Sequence, residues 1–367
     1  MPSLKIPRRE ALSGLSVARD FFERRSSIGV LRHCRLLASG TVVTIETTNL
    51  DSVCLHEMDC ELEGVESLKI LLPLVVLERC ARSGDGDLVI TPRDEGVVEL
   101  SCGDLSVHIP GGLTLPITDW PDFLGEHRDK KIESTVARAG DLHELLSALR
   151  PSVSREETRY YLNGYYLHRD GDEFLTGTST DGHRMAIHRS PIVWPLADLI
   201  LPREFARLLE RHLDRWDQDG EVEIWSMPPS GMRLVFRFGR TTLLTKCIDG
   251  TYPNYRRVPP NPSGNIQARI PARAVVGMPR REKGESVLLS VYPSEGVVRH
   301  RSNDGIVFTS PIPTVKSPSF GVNLRYLRAF MPRRGEAVIV YENGGDPLKI
   351  VVPGQERTTR IVMPMRI

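Results

Sequence analysis

The chain has 367 residues, 40% of them hydrophobic and 26% charged, with a formal net charge of +1. That length exceeds one ordinary domain, and the proportions are those of a globular protein. No apolar run approaches the roughly 18 residues of a membrane span, and the N-terminal MPSLKIPRRE lacks the basic-then-apolar layout of a secretory leader, so a cytoplasmic protein with no membrane partner is expected.

In chain order, a helix is expected over 8–25, then an extended stretch bent at a polar cluster, VVTIETTNLDSVCLH, over 42–56. From Leu72 the sequence reads as a short helix, a Gly-containing turn at Gly86 and a strand, and VVELSCGDLSVHI closes this portion with more strand. The same order follows twice more. A helix over 140–150 precedes the bent stretch FLTGTSTDGHRMAIH at 174–188. A longer helix begins after Pro202, with Leu208, Leu209 and Leu213 on one face and Gly220 at its exit. Finally a helix over 271–280 precedes GVVRHRSNDGIVFTS at 296–310, and a helix from Val322 runs to the turn at Gly335. Alternating β-branched residues around Asn or Asp mark strand–turn–strand units, and Pro73 and Pro202 sit where a helix start tolerates proline. The period is roughly 120–130 residues, which reads as three α+β domains of one plan, 1–125, 130–258 and 262–367, with proline-rich breaks at WPDFLGEHRDKK and RRVPPNPSGN.

Charge is unevenly spread. Residues 1–125 carry 12 Lys/Arg against 19 Asp/Glu, a balance of −7, leaving 36 basic and 28 acidic residues, or +8, in the remainder. A near-neutral total therefore leaves room for a local basic face and a nucleic-acid partner. Six cysteines, Cys34, Cys54, Cys60, Cys80, Cys102 and Cys247, form no CxxC pair and have no His at zinc spacing, so buried free thiols and no metal are expected. The sequence holds no GxxxxGK[ST], GxSxG or HExxH, and an acid–base or metal site at Asp181, His183 and His188 is disfavoured because residues five apart on a strand point to opposite faces. A hydrolase using Asp181 and His183 is the rival reading from another functional class.

Three stretches carry a resemblance: Arg159-Tyr160-Tyr161-Leu162-Asn163-Gly164, Thr180-Asp181-Gly182-His183-Arg184-Met185, and Asp249-Gly250-Thr251-Tyr252-Pro253-Asn254-Tyr255-Arg256-Arg257-Val258. With the C-terminal Val362-Met363-Pro364-Met365-Arg366-Ile367, they resemble the bacterial DNA polymerase III beta subunit, the beta sliding clamp. The first domain is similar mainly through Thr48-Asn49-Leu50 and Leu115-Pro116-Ile117-Thr118-Asp119-Trp120-Pro121. The resemblance implies an α+β fold of three clamp domains, each with helices packed on antiparallel sheet. It implies a head-to-tail homodimer closing a six-domain ring, with helices lining the hole. The implied function is non-catalytic: to encircle duplex DNA without sequence preference and tether DNA polymerase III and other polymerases or repair factors, with no cofactor. The alternative within the family is a divergent paralogue that serves a repair polymerase or confers resistance to a clamp-binding inhibitor.

The expected partners are duplex DNA, the polymerase alpha subunit and other polymerases through clamp-binding peptides, the clamp loader, and a second copy of the chain. The groove for partner peptides would be formed by Leu162, Thr180, Gly182, His183, Arg184, Met185, Pro253, Arg257, Val258, Ile361, Val362, Met363, Pro364, Met365 and Arg366. Methionines give such a groove a soft, adaptable wall, and Gly182 allows close approach. DNA contact is expected from Arg25, Arg82, Tyr160 and Tyr161, and the subunit interface from Leu105 and Val107 against Val275 and Val276 of the other copy.

Overall fold

The computed structural model describes residues 2–121, 133–227, 233–259, 266–279 and 287–367. Most of both proline-rich breaks, and the end of the helix expected over 271–280, lie outside the described residues.

One order of elements recurs three times. The first comprises β1 (Ser3–Ile6), α1 (Arg8–Ala18), β2 (His33–Ser39), β3 (Val42–Thr48), β4 (Ser52–Asp59), β5 (Glu61–Glu63), β6 (Ser67–Pro73), α2 (Leu74–Ser83), β7 (Leu88–Pro92), β8 (Val98–Cys102) and β9 (Leu105–Ile109). The second comprises β10 (Ser134–Arg138), α3 (Ala139–Leu149), β11 (Gly164–Arg169), β12 (Phe174–Thr180), β13 (Arg184–Val193), β14 (Leu199–Pro202), α4 (Arg203–Asp214), β15 (Glu221–Met227), β16 (Arg233–Phe238) and β17 (Thr241–Lys246). The third comprises β18 (Ile266–Pro271), α5 (Ala272–Val276), β19 (Leu288–Tyr292), β20 (Val297–Arg301), β21 (Val307–Pro311), β22 (Phe320–Asn323), α6 (Leu324–Phe330), β23 (Glu336–Tyr341), β24 (Leu348–Val351), β25 (Thr358–Val362) and β26 (Pro364–Met365).

The fold is α+β, as expected. Local chemistry explains its corners. Pro73 and Pro202 stand immediately before α2 and α4, where a missing N–H costs nothing. Asn323 caps α6 by accepting from the Arg325 and Tyr326 amides. The bend between β3 and β4 is an Asx turn, Asn49 Oδ1 accepting from the Ser52 amide at 2.8 Å. Helix α5 is much shorter than 271–280, ending at Gly277.

The middle repeat is divided between two compact units, which cut the chain differently from the three sequence domains. One unit takes residues 1–138 with 219–247, and the other takes 139–218 with 248–367. In the first unit a five-stranded sheet runs β5-β1-β7-β8-β9, and an eight-stranded sheet runs β10-β15-β16-β17-β4-β3-β2-β6. The splice is the antiparallel pair β17–β4, with Leu243 opposite Cys54. Helices α1 and α2 bury Ala11, Leu15, Leu74, Leu77 and Ala81 in a core with Leu4, Leu36, Ile45, Ile90 and Leu100. Burial alternates along strands such as β8, which presents one face to that core. All six cysteines are buried and unbridged.

In the second unit the eight-stranded sheet runs β14-β11-β12-β13-β25-β24-β23-β18, and the five-stranded sheet runs β21-β20-β19-β22-β26. Here the splice is β13–β25, which sets Met185 opposite Ile361, Ala186 opposite Arg360 and His188 opposite Thr358. Helix α3 packs on α4 and on β13, and α6 packs on α5.

Candidate partner-binding groove

The β13–β25 pairing gathers distant segments of chain around one apolar cavity of about 510 Å³. Its floor is Met185 and Ile361, packed with Tyr255, Ile187 and Val258. Beside it lie Leu162 and Tyr161, packed with Tyr252 and Ile200. Of the expected groove residues, Leu162, Thr180, Gly182, Arg184, Met185, Pro253, Arg257, Val258, Ile361 and Met363 line the cavity. Strand alternation separates the rest: Val362 follows Ile361 along β25 and is fully buried. His183 is exposed in the turn, and Pro364 and Met365 form β26 against Val322 and Gly321. Pro364, Met365 and Arg366 are not among the lining residues.

Sequence reasoning missed Arg159, Asn254, Tyr255 and Pro347, which also line the cavity, and placed Tyr161 at DNA alone. Asn254 and Tyr255 stood inside a quoted motif and could have been taken from it. Pro347 sits in a loop with no motif.

The turn from β12 to β13 is held by its own side chains. Asp181 Oδ1 accepts from the His183 and Arg184 amides, each at 3.0 Å, and its Oδ2 accepts from Arg184 Nε at 3.0 Å. Thr180 Oγ1 donates to the Arg184 carbonyl at 2.8 Å. Gly182 has φ +87°, and a Cβ there would stand 2.8 Å from Arg159 Nη1. Only glycine meets both demands without strain. Arg184 is fixed further over the Tyr326 ring, 4.5 Å from its centre. Asp181 is thus consumed by the turn, while His188 is buried with Nδ1 2.9 Å from Thr358 Oγ1. An acid–base pair has no free carboxylate here.

A stack of rings supports the groove from behind. Tyr166 lies between His168 and Tyr252, with centroid separations of 4.3 and 4.8 Å. Tyr255 Oη and His168 Nε2 are 3.0 Å apart, and Tyr166 donates to Asp198 at 2.7 Å. Burial pushes the Tyr166 and Tyr252 hydroxyls above their ordinary range and His168 below its own. All three rings therefore stay neutral near pH 7, which suits an apolar wall.

The other expected sites are spread over both units. In the first, Arg25 is exposed, and Arg82 pairs with Glu78 at 2.7 Å. There too Leu105 and Val107 lie half-buried on β9, the unpaired end of its sheet, beside a cavity of about 420 Å³ lined also by Val75, Val76 and Ile109. In the second, Tyr160 is 54% exposed. Val275 is 0% exposed and belongs to the core of its own unit, whereas Val276 is 54% exposed. Of the expected pair, only Val276 is exposed on this chain.

Known proteins resemble the chain in sequence and in fold. The family described as "DNA polymerase III beta subunit, central domain" matches residues 138–254. The beta sliding clamp of Caulobacter vibrioides is 26% identical across 99% of this chain and 100% of its own length. That of Escherichia coli K12 is 34% identical over 42% of this chain and 41% of its own. The solved DNA polymerase sliding clamp of Caulobacter crescentus superposes with a TM-score of 0.87 at 25% identity, covering 100% of both chains.

Proposed function

Because the chain belongs to the family of bacterial DNA polymerase III beta subunits, we propose that its groove seats the apolar tails of polymerases and other replication factors on a DNA-bound ring. The chain is a DNA sliding clamp, a non-catalytic processivity factor that works as a homodimer ring with DNA, polymerases and a clamp loader. Its action is topological: a closed ring stays on DNA without gripping any base. A heterologous contact that closes on itself gives such a ring rather than a filament.

The observation that carries the groove reading is the convergence of Leu162, Met185, Tyr255, Ile361 and Met363 on one cavity, at whose edge Arg184 is paired with Asp181 and Arg159 with Glu156. An extended peptide can bury apolar side chains against the methionines without stripping water from Arg159 or Arg184, whose charges are already paired. Arg257 at the rim supplies a donor for peptide carbonyls or a terminal carboxylate.

The unpaired strand β9 supports an intersubunit sheet through Leu105 and Val107, with Val276 facing it from the partner copy. Arg25 and Tyr160 are free to reach DNA, and Arg82 does so while paired to Glu78; Tyr161 serves the groove. The three repeats act as three clamp domains, 1–125, 130–258 and 262–367. No helix among the described residues is long and apolar enough to cross a membrane, and the clamp works in the cytoplasm with the chromosome.

The test is retention on circular DNA. The protein is loaded onto nicked plasmid by a clamp loader, and the plasmid is then linearised. A ring is expected to remain on the circle and leave the linear form. Equal behaviour on both forms would overturn the sliding reading.

A further inference from the structure

One wall of the groove is a segment that belongs to no sheet. Pro253, Asn254, Tyr255, Arg257 and Val258 all line the cavity, and all come from 252–258, between β17 and β18. Apart from one tight turn at Tyr255–Arg257, this stretch has no regular structure and pairs with no strand among the described residues. Its place is therefore fixed by side chains, and strand β11 supplies them.

Tyr166 and His168 are two residues apart on β11, so they share one face, and Asp170 follows at the strand's exit. That face is the groove's: Tyr166 stands opposite Thr178, and Thr178 opposite Ile187 of the groove floor. Each of the three holds one residue of the segment. The Tyr252 ring lies flat on Tyr166, 4.8 Å between centroids and 6° between planes. Tyr255 Oη meets His168 Nε2 at 3.0 Å. Arg256 Nε donates to Asp170 Oδ1 at 2.8 Å. The order along the strand matches the order along the segment, so the three contacts act as one clip. Tyr166 also packs on both apolar clusters of the groove, that of Met185 and Ile361 and that of Leu162 and Ile200.

The middle contact depends on one proton. His168 is fully buried, and its Nδ1 lies 2.8 Å from the Arg169 carbonyl, which can only accept. Nδ1 therefore carries the ring's proton, and the bare Nε2 accepts from the Tyr255 hydroxyl. A second proton would turn Nε2 into a donor aimed at that hydroxyl and break the bond as it stands. Charged and titratable groups surround the ring: Asp170 after β11, Asp198 before β14, and Tyr255 and Arg256 on the segment. Strand β12 sets the neutral Thr176 opposite it, and Arg189 of β13 lies 3.6 Å from Asp170. Burial outweighs the two carboxylates and holds the imidazole below its ordinary range.

We propose that Tyr166, His168 and Asp170 are positioning residues for the groove, and that the neutral His168 ring holds Tyr255 in place to receive a peptide. The clip matters to function only if the groove seats a peptide, so it rests on the groove reading above. It makes that seat acid-sensitive. Peptide affinity is full while His168 is neutral and is lost as pH falls below 6.5, the value of an unhindered imidazole.

The test titrates the full-length chain with a fluorescent polymerase tail peptide, amidated and free of Asp, Glu and His, so that only the protein changes charge. Between about pH 7.5 and about pH 5, wild-type affinity should fall about tenfold, the effect of one pKa unit of preference for the neutral ring. His168→Gln keeps an acceptor for Tyr255 but takes up no proton. It should bind within about threefold of wild type at about pH 7.5 and show no acid loss. Tyr166→Ala removes the stack and should weaken binding about tenfold at both ends of the range, and Tyr166→Phe, which keeps the ring, should recover it to within about threefold. The thermal midpoint of each variant reports the fold separately. A flat wild-type profile, an equal acid loss in His168→Gln, or wild-type affinity in Tyr166→Ala overturns the clip and leaves the groove reading standing. A folded wild-type chain that binds no such peptide at any pH overturns the groove reading, and the clip with it.

Discussion

The two faces of the β13–β25 pair answer one sequence in opposite ways. On the groove face, Met185, Ile187 and Ile361 form a soft apolar floor, and the charged residues at its edge are spent on each other, Asp181 on Arg184 and Glu156 on Arg159. On the helix face, Ala186, His188 and Arg360 occupy the alternate positions, and among the described residues Arg360 bonds to neutral groups, the Thr358 carbonyl and the Gln355 side chain. One face is built for shape and contact area, the other for charge. The first should therefore depend on side-chain volume and the second on ionic conditions.

The strongest test of that contrast removes residues 363–367. Met363 leaves the groove, and β26 is lost with it. Binding of a polymerase tail peptide, followed by fluorescence anisotropy, should weaken at least about 100-fold, the loss of one or two buried anchors. Retention on circular DNA should persist. Full peptide affinity in the truncated chain would remove Met363 from the groove's function.

A second test separates groove chemistry from ring topology. In Leu105→Arg with Val107→Arg, two charges on the unpaired edge of β9 should convert the dimer to monomer in sedimentation. Peptide affinity should stay within about twofold, because neither residue lines the groove. An unaltered dimer would show that β9 is not the interface.

The helix face should respond to acid. His188 titrates near 4 in the folded chain against 6.5 for an unhindered imidazole, so the unfolded state binds the proton more tightly. The stabilisation is fully present above pH 6.5 and is lost as pH falls toward about 4, amounting to on the order of 3 kcal/mol. Denaturant titrations across that window should show the loss, and His188→Gln should flatten it. The same slope in the variant would assign the acid sensitivity to other groups.

Smaller effects sharpen the groove. Gly182→Ala places a side chain at φ +87° against Arg159 and should cost about 1 kcal/mol, lowering the midpoint by about 2–4 °C. Peptide binding should change less than about twofold between about 50 and about 200 mM salt, whereas binding through phosphates falls steeply over that range. A steep salt dependence for an uncharged tail would mean that Arg159 and Arg184 are not consumed by Glu156 and Asp181.

Much of this was legible in the sequence where one residue type dictates a local shape. Asn49 and Asp181 marked their turns because a short acceptor can satisfy amides two and three residues ahead. Pro73 and Pro202 marked helix starts. The C-terminal motif was read too generously: a contiguous string brings in every residue, but a strand shows only alternate ones to a groove. Hence Ile361 and Met363 line the cavity while Val362 faces away. Pro347, Arg360 and the burial of Val275 were invisible, since each follows from packing between segments far apart in the chain. The pairing of β17 with β4 and of β13 with β25 was likewise beyond reach, because nothing in the alternation of one strand names its neighbour.

Those two pairings make the middle repeat a poor candidate for life on its own. Excised as residues 130–258, it would carry β17 and β13 with their hydrogen-bonding edges bare, each stripped of the neighbour that covers it in the intact chain. Bare strand edges recruit other strands, so such a fragment should aggregate rather than fold. A genetic boundary placed between repeats therefore cuts through two continuous sheets. Neither compact unit is one continuous stretch of chain, so no single cut separates the two and leaves both whole.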